Sequence, residues 1–194
     1  MNLPPTAQPK LAGYMKNSAI FNVQSAFDGT VFWCWWRMDD LQGDRAKRRR
    51  QSSARGWQML GDLGRYMWPD IAGEAAYETV RQSSGQPGLI IDGVTHCASI
   101  SHSRDLVAVA IAKDPDAMIG IDIEYRDPSR DIEALSRWLF DGDAKGGDFY
   151  QGWCDYEAAF KATGETDPQA QAQATLIAIE TMDGFSGALA RLAA

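Results

Sequence analysis

The chain has 194 residues, enough for one large domain or two small halves sharing a core. Hydrophobic residues make up 45%, too many for a disordered chain, and a net charge of −7 argues against nucleic acid as a partner. The longest strongly apolar run, residues 31–36, is far below the ~20 residues needed to span a bilayer, so no membrane association is expected.

The first ten residues are polar and contain prolines, unlike a signal peptide. Residues 30–38, rich in aromatic and β-branched side chains, read as a strand, followed by a turn over 39–44. Residues 45–68 read as a helix with Leu60, Leu63 and Met67 on one face, although Gly56, Gly61 and Gly64 oppose it. A short helix is predicted over 72–82, then a loop over 83–87, where Ser-Ser-Gly-Gln-Pro cannot continue a helix. Strands follow at 89–93, 97–101, 106–112 and 118–125, with a turn at 113–117. A helix is expected over 132–139, a flexible break over 142–147, a helix over 149–162, and a final strand over 175–179. This order has no regular βαβ repeat, which predicts an α+β protein with largely antiparallel sheets.

Cys34, Cys97 and Cys154 are widely spaced, and the histidines are His96 and His102 alone. That pattern speaks against structural zinc and for reduced thiols in the cytoplasm. The aromatic tract Trp33-Cys34-Trp35-Trp36 suits a core or a subunit contact better than a ligand site.

Four segments could carry chemistry. In the strand Gly120-Ile121-Asp122-Ile123-Glu124, alternate residues share a face. Asp122 and Glu124 then lie roughly 7 Å apart at the backbone, a pair of hard oxygen donors suited to Mg²⁺. A solvated strand face would look the same. In Trp153-Cys154-Asp155-Tyr156-Glu157-Ala158-Ala159-Phe160-Lys161, helical spacing stacks Trp153, Glu157 and Lys161. That face fits a metal and a phosphate oxygen, or else a plain surface ion pair. The loop Ser99-Ile100-Ser101-His102-Ser103 offers hydroxyls and an imidazole to a phosphate, or is simply a serine-rich turn. It lacks the Gly-x-Ser-x-Gly elbow of many serine hydrolases. Arg45, Lys47, Arg48, Arg49, Arg50 and Arg55 crowd into eleven residues of an acidic chain, pointing to a polyanion or to a solvated helix face.

Taken in order, these segments resemble the 4′-phosphopantetheinyl transferases of the surfactin-synthetase-activating type. That family has a Ser-x-Ser-His-Ser loop, a Gly-(Ile/Val)-Asp-(Ile/Val)-Glu strand and a Trp-x-x-Lys-Glu-Ala-x-x-Lys helix. Here the matching stretches are 99–103, 120–124 and 153–161, with Gly85-Gln86-Pro87 in place of the family's Gly-Lys-Pro turn. The resemblance spans roughly residues 45–164.

It implies an α+β pseudo-dimer of two similar halves, 1–115 and 116–194, joined in the 113–117 turn, with the ligand cleft between them. It also implies a monomeric, Mg²⁺-dependent enzyme. The phosphopantetheine arm of coenzyme A would pass to a serine of an apo acyl or peptidyl carrier protein, releasing adenosine 3′,5′-bisphosphate. Asp122, Glu124 and Glu157 would hold the ion. Lys161 would neutralise phosphate oxygens, and Glu157 would accept the serine proton either directly or through a metal-bound water. Ser101 and His102, helped by Arg50 or Arg55, would meet the 3′-phosphate. Tyr156 and Gln86 stand where the family has lysines, and 140–143 follows the family's Phe-x-x-x-Glu segment only loosely. Two other functions fit the same residues. One is a relative that binds coenzyme A or a carrier protein without turnover. The other is an unrelated metal-dependent phosphohydrolase.

Overall fold

The computed structural model describes residues 22–71, 77–139 and 148–192. The aromatic run near the N-terminus forms β2 (Val31–Arg37), which pairs with β1 (Gln24–Ala26) and with β6 (Leu106–Ala112). All of β6 is buried, because it lies inside the sheet with both faces covered; its unbroken apolar run has that cause. β5 (Val94–Ser103), β4 (Pro87–Ile91) and β3 (Tyr77–Arg81) complete a six-stranded sheet of order β1-β2-β6-β5-β4-β3. A second sheet has the order β7-β9-β8, with β7 (Met118–Tyr125), β8 (Thr175–Ala178) and β9 (Phe185–Leu192). Every backbone pairing is antiparallel. The protein is thus mixed α and β, with two antiparallel sheets and few helices.

Helix α1 (Arg45–Met67) starts where the Asp44 side chain accepts the Lys47 amide at 2.8 Å. Its Met59, Leu60 and Leu63 are fully buried against Cys34, Leu89, Val107, Val109 and Ile111. Each such side chain contributes about 1.5–3 kcal/mol. The glycines that oppose the helix by propensity have a packing reason. A Cβ at Gly56 would lie 2.6 Å from an Ile100 methyl, and one at Gly64 would strike Leu89.

Helix α3 (Phe149–Thr163) starts at Asp148, whose side chain accepts the Tyr150 amide, and ends at Gly164. Its Cys154, Ala158 and Ala162 meet Ala188 and Ala190 of β9. These small residues, with Gly120 on β7, let helix backbone rest directly on strand backbone. A Cβ at Gly120 would strike the Ala158 carbonyl and stand 2.9 Å from the Ala162 nitrogen. Two short helices, α2 (Ile132–Leu139) and α4 (Pro168–Gln171), complete the secondary structure described.

Several expectations are corrected. Tyr77–Arg81 is strand β3, not helix: it closes a hairpin with β4 over the Ser-Ser-Gly-Gln-Pro turn, and its β-branched Thr79 and Val80 suit the pleat. The Ser-His-Ser segment is strand, not loop, since His102 and Ser103 still pair with Val107 and Leu106. The strand at 175–179 is not the last; β9 follows and forms the middle of its sheet. Small residues such as Ser186, Gly187 and Ala188 hide β9 from a search for β-branched runs. The start of the predicted 72–82 helix, the break at 142–147, the 140–143 segment and the first ten residues lie outside the described residues. Trp33 and Cys34 are buried in two different core clusters, and all three cysteines are free and buried. Among the described residues, no helix is long and apolar enough to cross a membrane.

Candidate functional site

The Ser-x-Ser-x-Ser spacing matches the two-residue period of a strand, so Ser99, Ser101 and Ser103 all project from one face of β5. There they replace a backbone ladder. Ser99 Oγ accepts the Ile121 amide at 3.0 Å, Ser101 Oγ that of Ile123 at 3.2 Å, and Ser103 Oγ that of Tyr125 at 3.0 Å. The Ile119 amide is directed at the Cys97 thiol in the same way. The constant offset of 22 residues means that β5 and β7 run side by side in the same direction. β7 otherwise has a free edge, since its other edge pairs with β9. The hydroxyls satisfy that edge.

Each hydroxyl also has a proton to donate. Ser101 gives its proton to Asp122 Oδ1 at 2.8 Å, and Ser103 gives its own to Glu124 Oε2 at 2.9 Å. The serines therefore fix both the strand and its carboxylates. Ile119, Ile121 and Ile123 enter the core, while Gly120, Asp122 and Glu124 face the α3 side, as alternation requires.

Helix α3 brings the third segment to this place. Lys161 Nζ donates to Asp122 Oδ1 at 2.7 Å and to the Ile121 carbonyl at 3.0 Å. Glu157 is half-buried one turn earlier. Burial raises its proton affinity, Lys161 lowers it, and the charges of Asp122 and Glu124 raise it further. Cys154, beneath Asp122, has its thiol pushed up by burial and then by the Asp122 charge. Trp153 stacks against Tyr156, with ring centroids 5.9 Å apart. The Gln86 side-chain amide donates to the Lys161 carbonyl, tying the β3–β4 turn to α3.

His102 occupies the opposite face of β5, toward α1. Burial lowers its proton affinity, as do the charges of Arg49 and Lys161; Asp122 acts the other way. Arg49 is thus an arginine whose charge reaches His102. It lies three residues before buried Ser52 and seven before buried Gly56, on the same side of α1, although the residue itself is exposed. Arg50 is exposed. Arg55 lies on another flank of α1, with its guanidinium 5.0 Å from the Trp36 ring centroid and a bond to Gln58 at 2.9 Å. It lines a separate cavity of about 560 Å³ with Trp36, Arg37, Asp39 and Gln51. Ser101 is brought to the site, but its hydroxyl is engaged within the protein and the residue is 6% exposed.

A further cation escaped the sequence reading. Arg130 pairs with Glu124 Oε1 at 2.8 Å from the segment after β7, where no motif marks it. Among the described residues, no three His, Cys, Asp or Glu side chains already form one ligand group. Lys161 and Arg130 hold Asp122 and Glu124 instead. The donor set is nonetheless of the right kind for a hard divalent cation: carboxylate oxygens from a strand pair and an adjacent helix. Comparison with known protein families and with curated proteins returns no match.

Proposed function

We propose that the chain is a Mg²⁺-dependent 4′-phosphopantetheinyl transferase. The supporting observation is that three separate segments meet at Asp122: Ser101 of β5 donates to it, β7 carries it, and Lys161 of α3 pairs with it. Their order along the chain is the one that prompted the resemblance. In this reading the halves 1–115 and 116–194 form a pseudo-dimer around the coenzyme. The side-by-side β5–β7 junction, with α1 beside one strand and α3 beside the other, favours that arrangement.

The residues divide the work. Asp122, Glu124 and Glu157 would hold the ion, which when bound supplies positive charge to the pyrophosphate. Lys161 neutralises phosphate oxygens, and Arg49 with His102 holds the 3′-phosphate. The serine hydroxyl of an apo acyl or peptidyl carrier protein attacks the β-phosphate, and adenosine 3′,5′-bisphosphate leaves. Glu157, half-buried on α3 one turn before Lys161, takes the hydroxyl proton, directly or through a water. A carboxylate has two oxygens, so holding the ion and accepting a proton would not exclude each other at Glu157.

A non-catalytic binder of coenzyme A or carrier protein is the second reading, favoured by the ion pairs already on Asp122 and Glu124 and by Tyr156 in place of a lysine. Mass spectrometry separates the two. Apo carrier proteins incubated with the chain, coenzyme A and Mg²⁺ should gain one phosphopantetheine mass, and Asp122→Ala should abolish the gain. Coenzyme A binding without transfer to any of a broad set of carriers would sink the enzyme. Phosphate release from simple esters without a carrier would point to a phosphohydrolase.

A further inference from the structure

The two strand carboxylates each hold a cation of the protein itself, and the two cations are tethered differently. Lys161 comes from α3, makes a second bond to the Ile121 carbonyl, and is 26% exposed. Arg130 comes from the segment between β7 and α2 and is 44% exposed. Its partner is the better fixed: Glu124 is 17% exposed and its other oxygen accepts from Ser103. The Tyr150 ring, anchored by its hydroxyl on the Asp127 carbonyl at 2.7 Å, lies 6.0 Å from the Arg130 guanidinium. The guanidinium thus has an aromatic wall beside it, and its carboxylate partner has a second anchor in Ser103.

Charge counting gives this arrangement a consequence. Asp122 and Glu124 are matched by Lys161 and Arg130, while Glu157 adds a negative charge when ionised. A pyrophosphate entering this site would meet carboxylates and cations already committed to each other. A divalent cation would change that: Glu124 would gain a stronger partner, and a guanidinium would be released beside the phosphates. Arginine's planar fork binds phosphate oxygens in pairs.

We propose that Arg130 changes partner during loading, resting on Glu124 in the free protein and passing to the coenzyme pyrophosphate when a divalent cation takes Glu124. The inference rests on the metal site and ligand proposed above. It makes Arg130 a substrate-contact residue and the link between metal and coenzyme binding.

The test uses the whole chain, with Mn²⁺ as the metal probe read by electron paramagnetic resonance and coenzyme A binding read by calorimetry. In Arg130→Gln, Mn²⁺ alone should bind about two- to fivefold more tightly, because an exposed competing ion pair is gone. Coenzyme A in saturating Mn²⁺ should bind about three- to tenfold more weakly. Arg130→Lys, which keeps the charge but not the fork, should return Mn²⁺ affinity toward wild type and recover only part of the coenzyme affinity. Tighter Mn²⁺ with unchanged coenzyme affinity would make Arg130 a resting partner only and overturn the exchange. Weaker coenzyme binding with unchanged Mn²⁺ affinity would make it a fixed substrate contact and also overturn it. Mn²⁺ binding to neither protein would remove the proposed metal site itself, and this inference with it.

Discussion

The two faces of β5 carry neighbouring residues of one motif and put them to different uses. Ser99, Ser101 and Ser103 turn toward β7, where their hydroxyls take up its amides and steady Asp122 and Glu124. His102, one residue away, turns toward α1 and Arg49 and bonds to neither carboxylate. A run of polar residues in a strand is two sets, not one. Membership of a motif therefore does not by itself put Ser101 and His102 on one side of the strand.

Substitutions can break this division or sharpen it. The largest effect is expected at Gly120, which supports both sides by letting α3 rest on β7. Gly120→Ala should cost about 3 kcal/mol or more in urea unfolding, since strand or helix backbone must move. Ser101→Ala comes next. It leaves a buried amide and a buried carboxylate each short of one partner, so a loss of about 2 kcal/mol is expected. Affinity for coenzyme A should change little. His102→Gln should do the reverse: stability within about 1 kcal/mol of wild type, and coenzyme A bound about tenfold more weakly. Dephospho-coenzyme A should bind both proteins alike. If Ser101→Ala weakens coenzyme binding as much as His102→Gln at unchanged stability, the division of roles is wrong.

Acid sharpens the comparison through the imidazole of His102. The fold lowers the proton affinity of His102, so it favours the neutral ring. That contribution to stability is present above the ordinary imidazole value of 6.5 and is lost as pH falls below it toward the folded value. Denaturation curves between about pH 7 and 5 should show this loss, and His102→Gln should flatten it. An anionic phosphate beside the ring favours the charged form. Coenzyme binding should therefore take up a proton, visible as a buffer-dependent heat. The smallest effect is expected from Tyr156→Lys. The phenol stacks on Trp153 beside the site rather than on Asp122, so the change should raise transfer rate or broaden carrier choice modestly, without altering Mg²⁺ dependence.

The legible part of the fold was the part written in period and composition. β2, β6, β7, α1 and α3 follow from aromatic, apolar and amphipathic runs, and the shared face of Asp122 and Glu124 follows from strand alternation. β9 was not legible because its residues are small to admit α3, a requirement set by a helix elsewhere in the chain. Arg130 was not legible for a similar reason: only the return of the chain after β7 brings it to Glu124. That Arg49 lies on the His102 side of α1 and Arg55 on another needed the phase of the helix, which depends on which face meets the sheet.

The junction between β5 and β7 has one property that backbone ladders lack. Its acceptors are side chains, so each can be deleted by one codon while the main chain stays intact. Ser99, Ser101 and Ser103 can be removed singly or together, and hydrogen exchange at the Ile121, Ile123 and Tyr125 amides would report each loss in turn. The seam between the two sheets can thus be loosened in graded steps, with the carboxylates at its margin as the readout.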